Sequence, residues 1–203
     1  MVEGYSEKYF YNRLINSDES FRSNILKKSI GFMCIYGVDF KPAKQILNSL
    51  GIKVHILTDN DIFAIPNHPN IMRFSGVQRA LNMLSTAECD ELNQQLGFIL
   101  TPKSLIAEKD STDFQKIIDN MGDILTTLYK FGVYVHPLEE NGFEYAFASF
   151  IGLKDEERHQ VIDELKKSKM KNLHYFLESN NNDLVVNDSN NSNILVRFAY
   201  DNK

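Results

Sequence analysis

Short apolar runs alternate with longer amphipathic stretches along the chain, and this alternation predicts an α/β fold. Apolar runs cover 30–36, 52–58 and 133–136, the second of them rich in β-branched residues, and such runs are typical of buried parallel strands. Between and after them lie stretches in which apolar residues recur at helical spacing. We expect helices at the following positions: 6–15, 41–50, 76–83, 86–96, 111–131, 144–150 and 156–177, the last with a break near Ser168.

The segments outside this alternation predict a loop and a tail. Residues 61–73 contain Pro66 and Pro69, so we predict a loop there. From residue 179 onward the chain is rich in Asn, Asp and Ser, which indicates a flexible tail over 179–203. One short apolar run interrupts that tail, and it predicts an edge strand over 194–199.

The composition excludes some classes of function but does not select one. The chain has 203 residues and a formal net charge of -5, so it is not a polycation that holds nucleic acid by charge alone. A bound metal would supply local positive charge, so nucleic acid is neither predicted nor excluded. The two cysteines, Cys34 and Cys89, indicate neither a disulfide framework nor a zinc site. Because no signal peptide and no apolar run of about 18 residues occurs, we expect a cytoplasmic protein with no membrane partner.

Acidic residues stand at the end of one predicted strand and at a second strand-to-helix junction near the start of the chain. Asp59-Asn60-Asp61 directly follows the apolar run 52–58, and Glu3 and Glu7 flank a turn that opens a helix. In an open α/β sheet, ligands bind at the carboxyl ends of the strands. Carboxylate oxygens are the ligands that hard divalent cations such as Mg²⁺ prefer. The pattern therefore predicts a metal site at this edge of the sheet.

Plainer alternatives exist for the same acids. Asp59 and Asp61 are also what a solvated turn would contain, and an acid such as Glu7 suits the first turn of any helix. A receiver-like or phosphatase-like domain that uses Asp59 would leave Glu3 unexplained. His136, at the end of the third strand, is the histidine nearest to the expected site.

Three segments in the first third of the chain carry specific motifs, and two later ones fit less closely. Val2–Glu7 resembles V-E-G-x-x-E, Gly37–Pro42 resembles G-V-x-F-K-P, and Gly51–Asp61 resembles G-I-K-V-x-V-x-T-D-N-D, while Arg73–Leu81 and Gly142–Glu144 fit later segments. These are patterns of the Toprim domain in the OLD (overcoming lysogenization defect) family of ATP-dependent endonucleases. The resemblance covers most of residues 2–177. It departs from the family at Gly142, where the family pattern D-L-E has an acid.

The resemblance implies a fold and an activity. The fold is a Toprim-like, Rossmann-like domain over residues 1–178. It has a mostly parallel central sheet flanked by helices, a helical insertion over about 76–130 and a helical C-terminal part. The activity is divalent-metal-dependent cleavage or nicking of DNA, with Mg²⁺ or Mn²⁺ at a two-metal site. The implied catalytic residues are Glu3, Asp59, Asp61 and Lys171; the implied metal ligands are Glu3, Glu7, Asp59, Asp61 and Glu144; and Arg73, Arg79 and Lys169 would contact the DNA backbone.

The resemblance also implies a partner. Members of the OLD family usually carry an ABC-type ATPase domain before the Toprim domain. No Gly-x-x-x-x-Gly-Lys-Ser/Thr segment occurs here, so we expect no ATP site in this chain. Because the strand before Glu3 is short, we expect a piece of a longer or split protein, with any homo-oligomer formed through the ATPase part. Two alternatives stay open: a truncated, non-catalytic Toprim module that binds a partner ATPase, and a primase- or topoisomerase-like Toprim domain.

Overall fold

The computed structural model describes residues 1–37, 39–140, 142–153, 155–179, 184–187, 189 and 192–200. It confirms a mixed α/β fold with a helical C-terminal part. In chain order the elements are α1 (Tyr5–Ser17), α2 (Glu19–Lys27), α3 (Phe40–Ser49), β1 (Ile56–Thr58), β2 (Ile62–Ile65), β3 (His68–Phe74), α4 (Ser75–Met83), α5 (Thr86–Leu96), β4 (Ile106–Glu108), α6 (Thr112–Asp119), α7 (Met121–Lys130), β5 (Val133–Val135), a 3₁₀ turn (Leu138–Glu140), α8 (Phe143–Phe150), α9 (Asp155–Lys167), α10 (Lys169–Ser179) and α11 (Ile194–Tyr200).

The chain divides into two compact units. Unit 1 comprises Met1–Gly37 and Gly142–Lys203, and unit 2 comprises Val38–Asn141. Unit 2 is thus a continuous segment, whereas unit 1 is built from both ends of the chain. The predicted extent of a single Toprim-like domain over 1–178 stays a prediction. No helix in the part of the chain that the structure describes is long and apolar enough to cross a membrane.

Unit 2 contains a parallel pair of strands. β1 pairs with β5, with Ile56 opposite Val133 and Thr58 opposite Val135. Every residue of both strands is buried, as expected for apolar, β-branched runs inside an α/β core. The predicted strand over 52–58 is shorter than expected, because regular pairing begins only at Ile56.

Unit 2 also contains an antiparallel sheet that the sequence analysis missed. Its strands lie in the order β2-β3-β4, so the loop predicted over 61–73 is wrong, and the short strand β4 interrupts the helical insertion predicted over about 76–130. Asn67 makes the turn between β2 and β3 with a φ of 65°, which asparagine tolerates. Pro69 is compatible with β3 because β4 pairs with that strand only from Ile71 onward.

The helices of unit 2 begin and end at recognisable caps. The helices predicted at 76–83 and 86–96 are confirmed, and Ser85 closes a capping box with Glu88 at the start of α5. The single helix predicted over 111–131 is wrong, since it divides at Asn120 into α6 and α7. Ser111 caps α6, because its hydroxyl accepts a hydrogen bond from the backbone N–H of Phe114.

Unit 1 is a helical core beside a short parallel bridge. Val2 forms an isolated bridge with Cys34, so the strand predicted over 30–36 is reduced to one pairing. The break predicted near Ser168 is confirmed, since α9 ends at Lys167 and α10 begins at Lys169.

The apolar centre of unit 1 is aromatic. The ring of Phe10 on α1 packs edge-on against three rings of α8, at centroid distances of 6.1 Å to Phe143, 6.0 Å to Phe147 and 5.1 Å to Phe150. Such edge-to-face contacts add to the free energy that burial provides. Together these rings join the helix that carries Glu7 to the helix that carries Glu144.

The edge strand predicted over 194–199 is wrong, because these residues form α11. Its apolar residues are buried, and the Tyr11 hydroxyl donates a 2.8 Å hydrogen bond to the backbone oxygen of Leu195. The side chain of Asn193 donates to the backbone oxygen of Ala146 at 2.8 Å. The flexible tail predicted over 179–203 is therefore corrected for residues 192–200, which belong to the core of unit 1; residues 180–183, 188, 190–191 and 201–203 lie outside the described part.

Candidate metal centre

In unit 2 the acidic turn lies at the carboxyl end of β1, as predicted. Asp59 and Asp61 follow the last residue of the strand and both retain contact with solvent, while Asn60 between them is fully buried. The turn thus presents two carboxylates and hides the residue between them. This is the edge at which an α/β sheet binds its ligands.

Arg79 of α4 holds this turn in place. Its guanidinium donates to the Thr58 hydroxyl at 3.2 Å, to the backbone oxygen of Asp59 at 2.8 Å, and to Asp61 Oδ2 at 3.0 Å from two nitrogens. The planar fork of arginine suits several acceptors at once. The sequence analysis predicted that Arg79 contacts the DNA backbone; the structure places its guanidinium on the acidic turn.

The start of α4 lies unusually close to the same turn. Ser75 donates its backbone N–H to the backbone oxygen of Asp61 at 2.7 Å. A Cβ atom added at Gly76 would meet the backbone of Asp59, and it would lie 2.7 Å from the Cα of Asn60. Only glycine allows this approach without a backbone shift.

Asn60 is a residue that the sequence analysis did not single out. Both its side-chain oxygen and its side-chain nitrogen are buried without a hydrogen-bond partner. Buried amides are almost always satisfied, and an unsatisfied one is costly. No pattern in the sequence could show this, because burial of Asn60 depends on the approach of α4.

His136 lies beside the acidic turn. Its Nε2 is 3.8 Å from Asp59 Oδ1, and its side chain is almost completely buried. The backbone N–H of His136 donates to the oxygen of Thr58 at 3.1 Å, which continues the parallel pairing of β1 and β5. The sequence analysis expected His136 to be the histidine nearest to the site, and the structure places its ring beside Asp59.

In unit 1 two glutamates share one lysine. The ammonium of Lys169 lies 3.0 Å from Glu144 Oε1 and 3.7 Å from Glu7 Oε1. The same ammonium lies 5.3 Å from the centre of the Phe143 ring. Helices α1, α8 and α10 supply one charged residue each to this acidic pair and its cation.

The environment of Glu7 is unfavourable for a free carboxylate. Its side chain is only 4% exposed, and burial raises the pKa of Glu7, against the opposing effect of the Lys169 ammonium. Glu7 Oε2 has no hydrogen-bond partner. A buried carboxylate oxygen without a partner is costly unless a cation balances it.

The other predicted site residues are more dispersed. Glu3 is half-buried, and its backbone oxygen accepts a 3.2 Å hydrogen bond from the N–H of Gly37. Lys171 is exposed on α10, and Arg73 is half-buried on β3, opposite Phe63. Of the two candidate lysines, the structure therefore brings Lys169 to the acidic pair and leaves Lys171 in solvent.

The donor set of each unit fits a divalent metal only in part. Across the described residues, no group of three or more His, Cys, Asp or Glu side chains is close enough to hold a metal ion. The unpartnered oxygen of Glu7 and the ammonium shared by Glu7 and Glu144 nevertheless mark a position where a cation is stabilised. The oxygen chemistry of these carboxylates is that of Mg²⁺ or Mn²⁺ sites.

A parallel strand pair, flanking helices and carboxylates at the end of β1 form a mixed α/β arrangement that is consistent with a Toprim-like fold. The family model described as "Overcoming lysogenization defect protein-like, TOPRIM domain" matches residues 1–61. This match confirms the resemblance drawn from the motifs and supports a Toprim domain of the OLD family, a nuclease-related module. The matched segment contains Glu3, Glu7, Asp59 and Asp61. No curated protein matches the chain.

Proposed function

We propose that the chain is the DNA-cleaving or DNA-nicking module of an OLD-like ATP-dependent endonuclease, dependent on Mg²⁺ or Mn²⁺. The observation that carries the proposal is the family match over residues 1–61, which ends on the acidic turn that follows β1. DNA as substrate, an ABC-type ATPase as partner and a cytoplasmic location belong to the same proposal.

The proposed ligand set is the one that the resemblance implies. Asp59 and Asp61 would hold metal in unit 2, and the ligands in unit 1 would be Glu3, Glu7 and Glu144. A bound metal would lower the pKa of a water molecule and stabilise charge on the scissile phosphate. Arg79 positions Asp61, since two of its nitrogens contact the carboxylate at 3.0 Å.

Lys169 is the better candidate for the functional lysine. Its ammonium already lies among carboxylates, whereas Lys171 is exposed. A cation held at such a place can stabilise negative charge that develops on a phosphate. In the absence of metal, the same ammonium offsets part of the negative charge of Glu7 and Glu144.

A second candidate function is a non-catalytic Toprim module that binds a partner ATPase. The ion pairs favour it, because Arg79 neutralises Asp61 and Lys169 neutralises Glu144 without any metal. A site whose carboxylates are already paired has less free energy to gain from a metal ion.

Plasmid nicking separates the two candidates. The chain, alone and with an ABC-type ATPase encoded beside its gene, is incubated with supercoiled plasmid and Mg²⁺ or Mn²⁺. We expect metal-dependent nicking that falls by about 100-fold or more in Asp59→Asn, because a ligand is lost. Asp90→Asn is the matched control, since Asp90 is an exposed acid of α5 in the same unit. If the wild-type chain neither nicks DNA nor binds Mn²⁺ in calorimetry, the non-catalytic candidate replaces the enzyme.

The choice between the lysines needs a separate comparison. Lys169→Met should reduce nicking by about 100-fold, because a positioned charge is removed from the site. Lys171→Met should change it by less than about twofold, as expected of an exposed side chain. Equal losses in the two variants would contradict the assignment of Lys169.

A further inference from the structure

Two tyrosines of unit 1 form an exposed stack. The rings of Tyr5 and Tyr36 lie 6.3 Å apart at an interplanar angle of 19°, and the two residues are 49% and 72% exposed. Tyrosine rings usually bury most of their surface and leave only the hydroxyl in water. A pair of nearly parallel rings that both face solvent is therefore a surface suited to a flat ligand.

The stack lies beside the backbone of Glu3, one of the predicted metal ligands of unit 1. Ile35 donates its backbone N–H to the oxygen of Val2 at 3.1 Å, and Gly37 donates to the oxygen of Glu3 at 3.2 Å. Tyr36 lies between these two donors in the chain, so its backbone is held beside that of Val2 and Glu3. Tyr5 follows Glu3 by two positions and is the first residue of α1.

The backbone at Tyr36 is strained. Its φ is 56°, in the left-handed region that a bulky L-residue rarely adopts. The two hydrogen bonds on either side of it keep the loop in this conformation. Strain of this kind is common where a side chain must be held in one orientation for binding.

We propose that the Tyr5–Tyr36 stack is a platform for an unpaired base of DNA, so that the preferred substrate is single-stranded or locally unpaired. The proposal rests on the proposed function, because DNA as substrate comes from there. Bases stack on exposed aromatic rings irrespective of sequence, and this is how single-stranded nucleic acid is commonly held. Stacking of this kind provides attraction that does not depend on charge, which suits a chain with a formal net charge of -5.

A base-dependent binding experiment tests the platform. Fluorescence anisotropy measures the affinity of the full chain for a labelled oligothymidylate and for an abasic oligonucleotide with the same number of phosphates, with Ca²⁺ present. We expect the wild-type chain to bind the oligothymidylate about tenfold more tightly than the abasic strand, and Tyr5→Leu and Tyr36→Asn to remove that difference. Tyr5→Phe and Tyr36→Phe should keep it. Asparagine is chosen at position 36 because it tolerates a positive φ.

Tyr175→Leu is the matched control, since Tyr175 is 66% exposed on α10 in the same unit. Equal affinity of the wild-type chain for both oligonucleotides, or an unchanged preference in both Tyr5→Leu and Tyr36→Asn, overturns the platform. Self-association that is lost in these variants while DNA binding is unchanged would assign the stack to a protein interface instead, and so overturns the platform too.

If Tyr36→Asn fails to fold, Tyr5→Leu alone decides. Base-dependent binding in a chain that never nicks DNA would support the platform and contradict only the proposed nuclease activity.

Discussion

At the scale of single residues, Arg79 is the residue whose role the structure changes most. Its guanidinium is the shared donor for a hydroxyl, a backbone carbonyl and a carboxylate around the acidic turn. We expect Arg79→Ala to lower the free energy of unfolding by about 1–3 kcal/mol, since partly buried acceptors lose their donor. Arg79→Lys should restore little, because one ammonium cannot replace the fork.

Urea denaturation measures this effect. Arg22→Ala is the control, since Arg22 forms an exposed pair with Glu19 at 3.2 Å on α2. Exposed pairs of this kind contribute about 0–1 kcal/mol. A loss for Arg79→Ala no larger than the loss for Arg22→Ala would contradict the structural role of Arg79.

The burial of His55 predicts that the stability of the protein depends on pH. Burial, and next the charge of Lys53, lower the pKa of His55 from 6.5 to about 4. Because the folded-state pKa lies below the unfolded value, the neutral form is favoured on folding. This contribution to stability is fully present above pH 6.5 and is lost as the pH falls from 6.5 towards about 4.

We expect His55→Gln, which cannot titrate, to gain stability relative to the wild-type chain over this interval. Urea midpoints measured across it provide the test, and carboxylates that titrate in both proteins cancel in the difference. His68→Gln is the control, because His68 is exposed on β3 and should track the wild type. A constant difference between His55→Gln and wild type at every pH would contradict the prediction.

At the scale of elements, the close approach of α4 to the turn after β1 depends on one glycine. Gly76→Ala would place a methyl group against backbone atoms, 2.7 Å from the Asn60 Cα, and backbone cannot yield as a flexible side chain can. We expect a loss of about 1–3 kcal/mol from this overpacking. Nicking should fall as well, because the shift reaches Asp59 and Asp61.

Gly122→Ala is the matched control. Gly122 also lies in a helix, α7, but an added Cβ meets nothing within 4 Å there. Alanine should therefore stabilise the protein by about 0.4–1 kcal/mol. Calorimetric unfolding of both variants tests whether Gly76→Ala destabilises the protein while Gly122→Ala stabilises it. Stabilisation by Gly76→Ala would show that the close approach is absent.

The elements that the sequence predicted correctly are those with local signals. Helix α5 has a serine cap, a glutamate three residues later and Gly97 at its end with a φ of 70°, and its bounds were predicted to the residue. The antiparallel sheet was missed because Pro66 and Pro69 indicate a loop locally. Pro69 is accommodated only because β4 pairs farther along the strand. This pairing is part of the tertiary structure and leaves no signal in the local sequence.

At the scale of the whole molecule, the motifs indicated which acids are candidates for the site, but not which side chains contact one another. The position of the acidic turn after β1 follows from an apolar run that ends in acids, whereas the pairing of β1 with β5 is known only from the structure. The grouping of Glu7, Glu144 and Lys169 does not, since α1, α8 and α10 are distant in sequence. Lys169 and Lys171 carry the same charge two positions apart, and only the packing of α10 distinguishes them.

The division into units predicts that residues 38–141 fold alone. This segment contains both sheets of unit 2, and its buried side chains include Phe74, Leu92, Leu105 and Ile124. A chain of about 100 residues with such a core usually unfolds cooperatively. We expect the isolated fragment to show helical circular dichroism and one sigmoidal transition in urea.

A shorter fragment provides the control for this experiment. Residues 38–120 lack α7 and β5, so β1 loses its parallel partner and the buried side chains of α7, such as Leu128, are absent. A two-stranded pairing that loses one strand leaves the apolar face of β1 exposed to water. The 38–120 fragment should therefore fail to show a cooperative transition. Cooperative unfolding of 38–120 would mean that the β1–β5 pair is not the core of unit 2. Failure of 38–141 as well would mean that unit 2 depends on the rest of the chain for its stability.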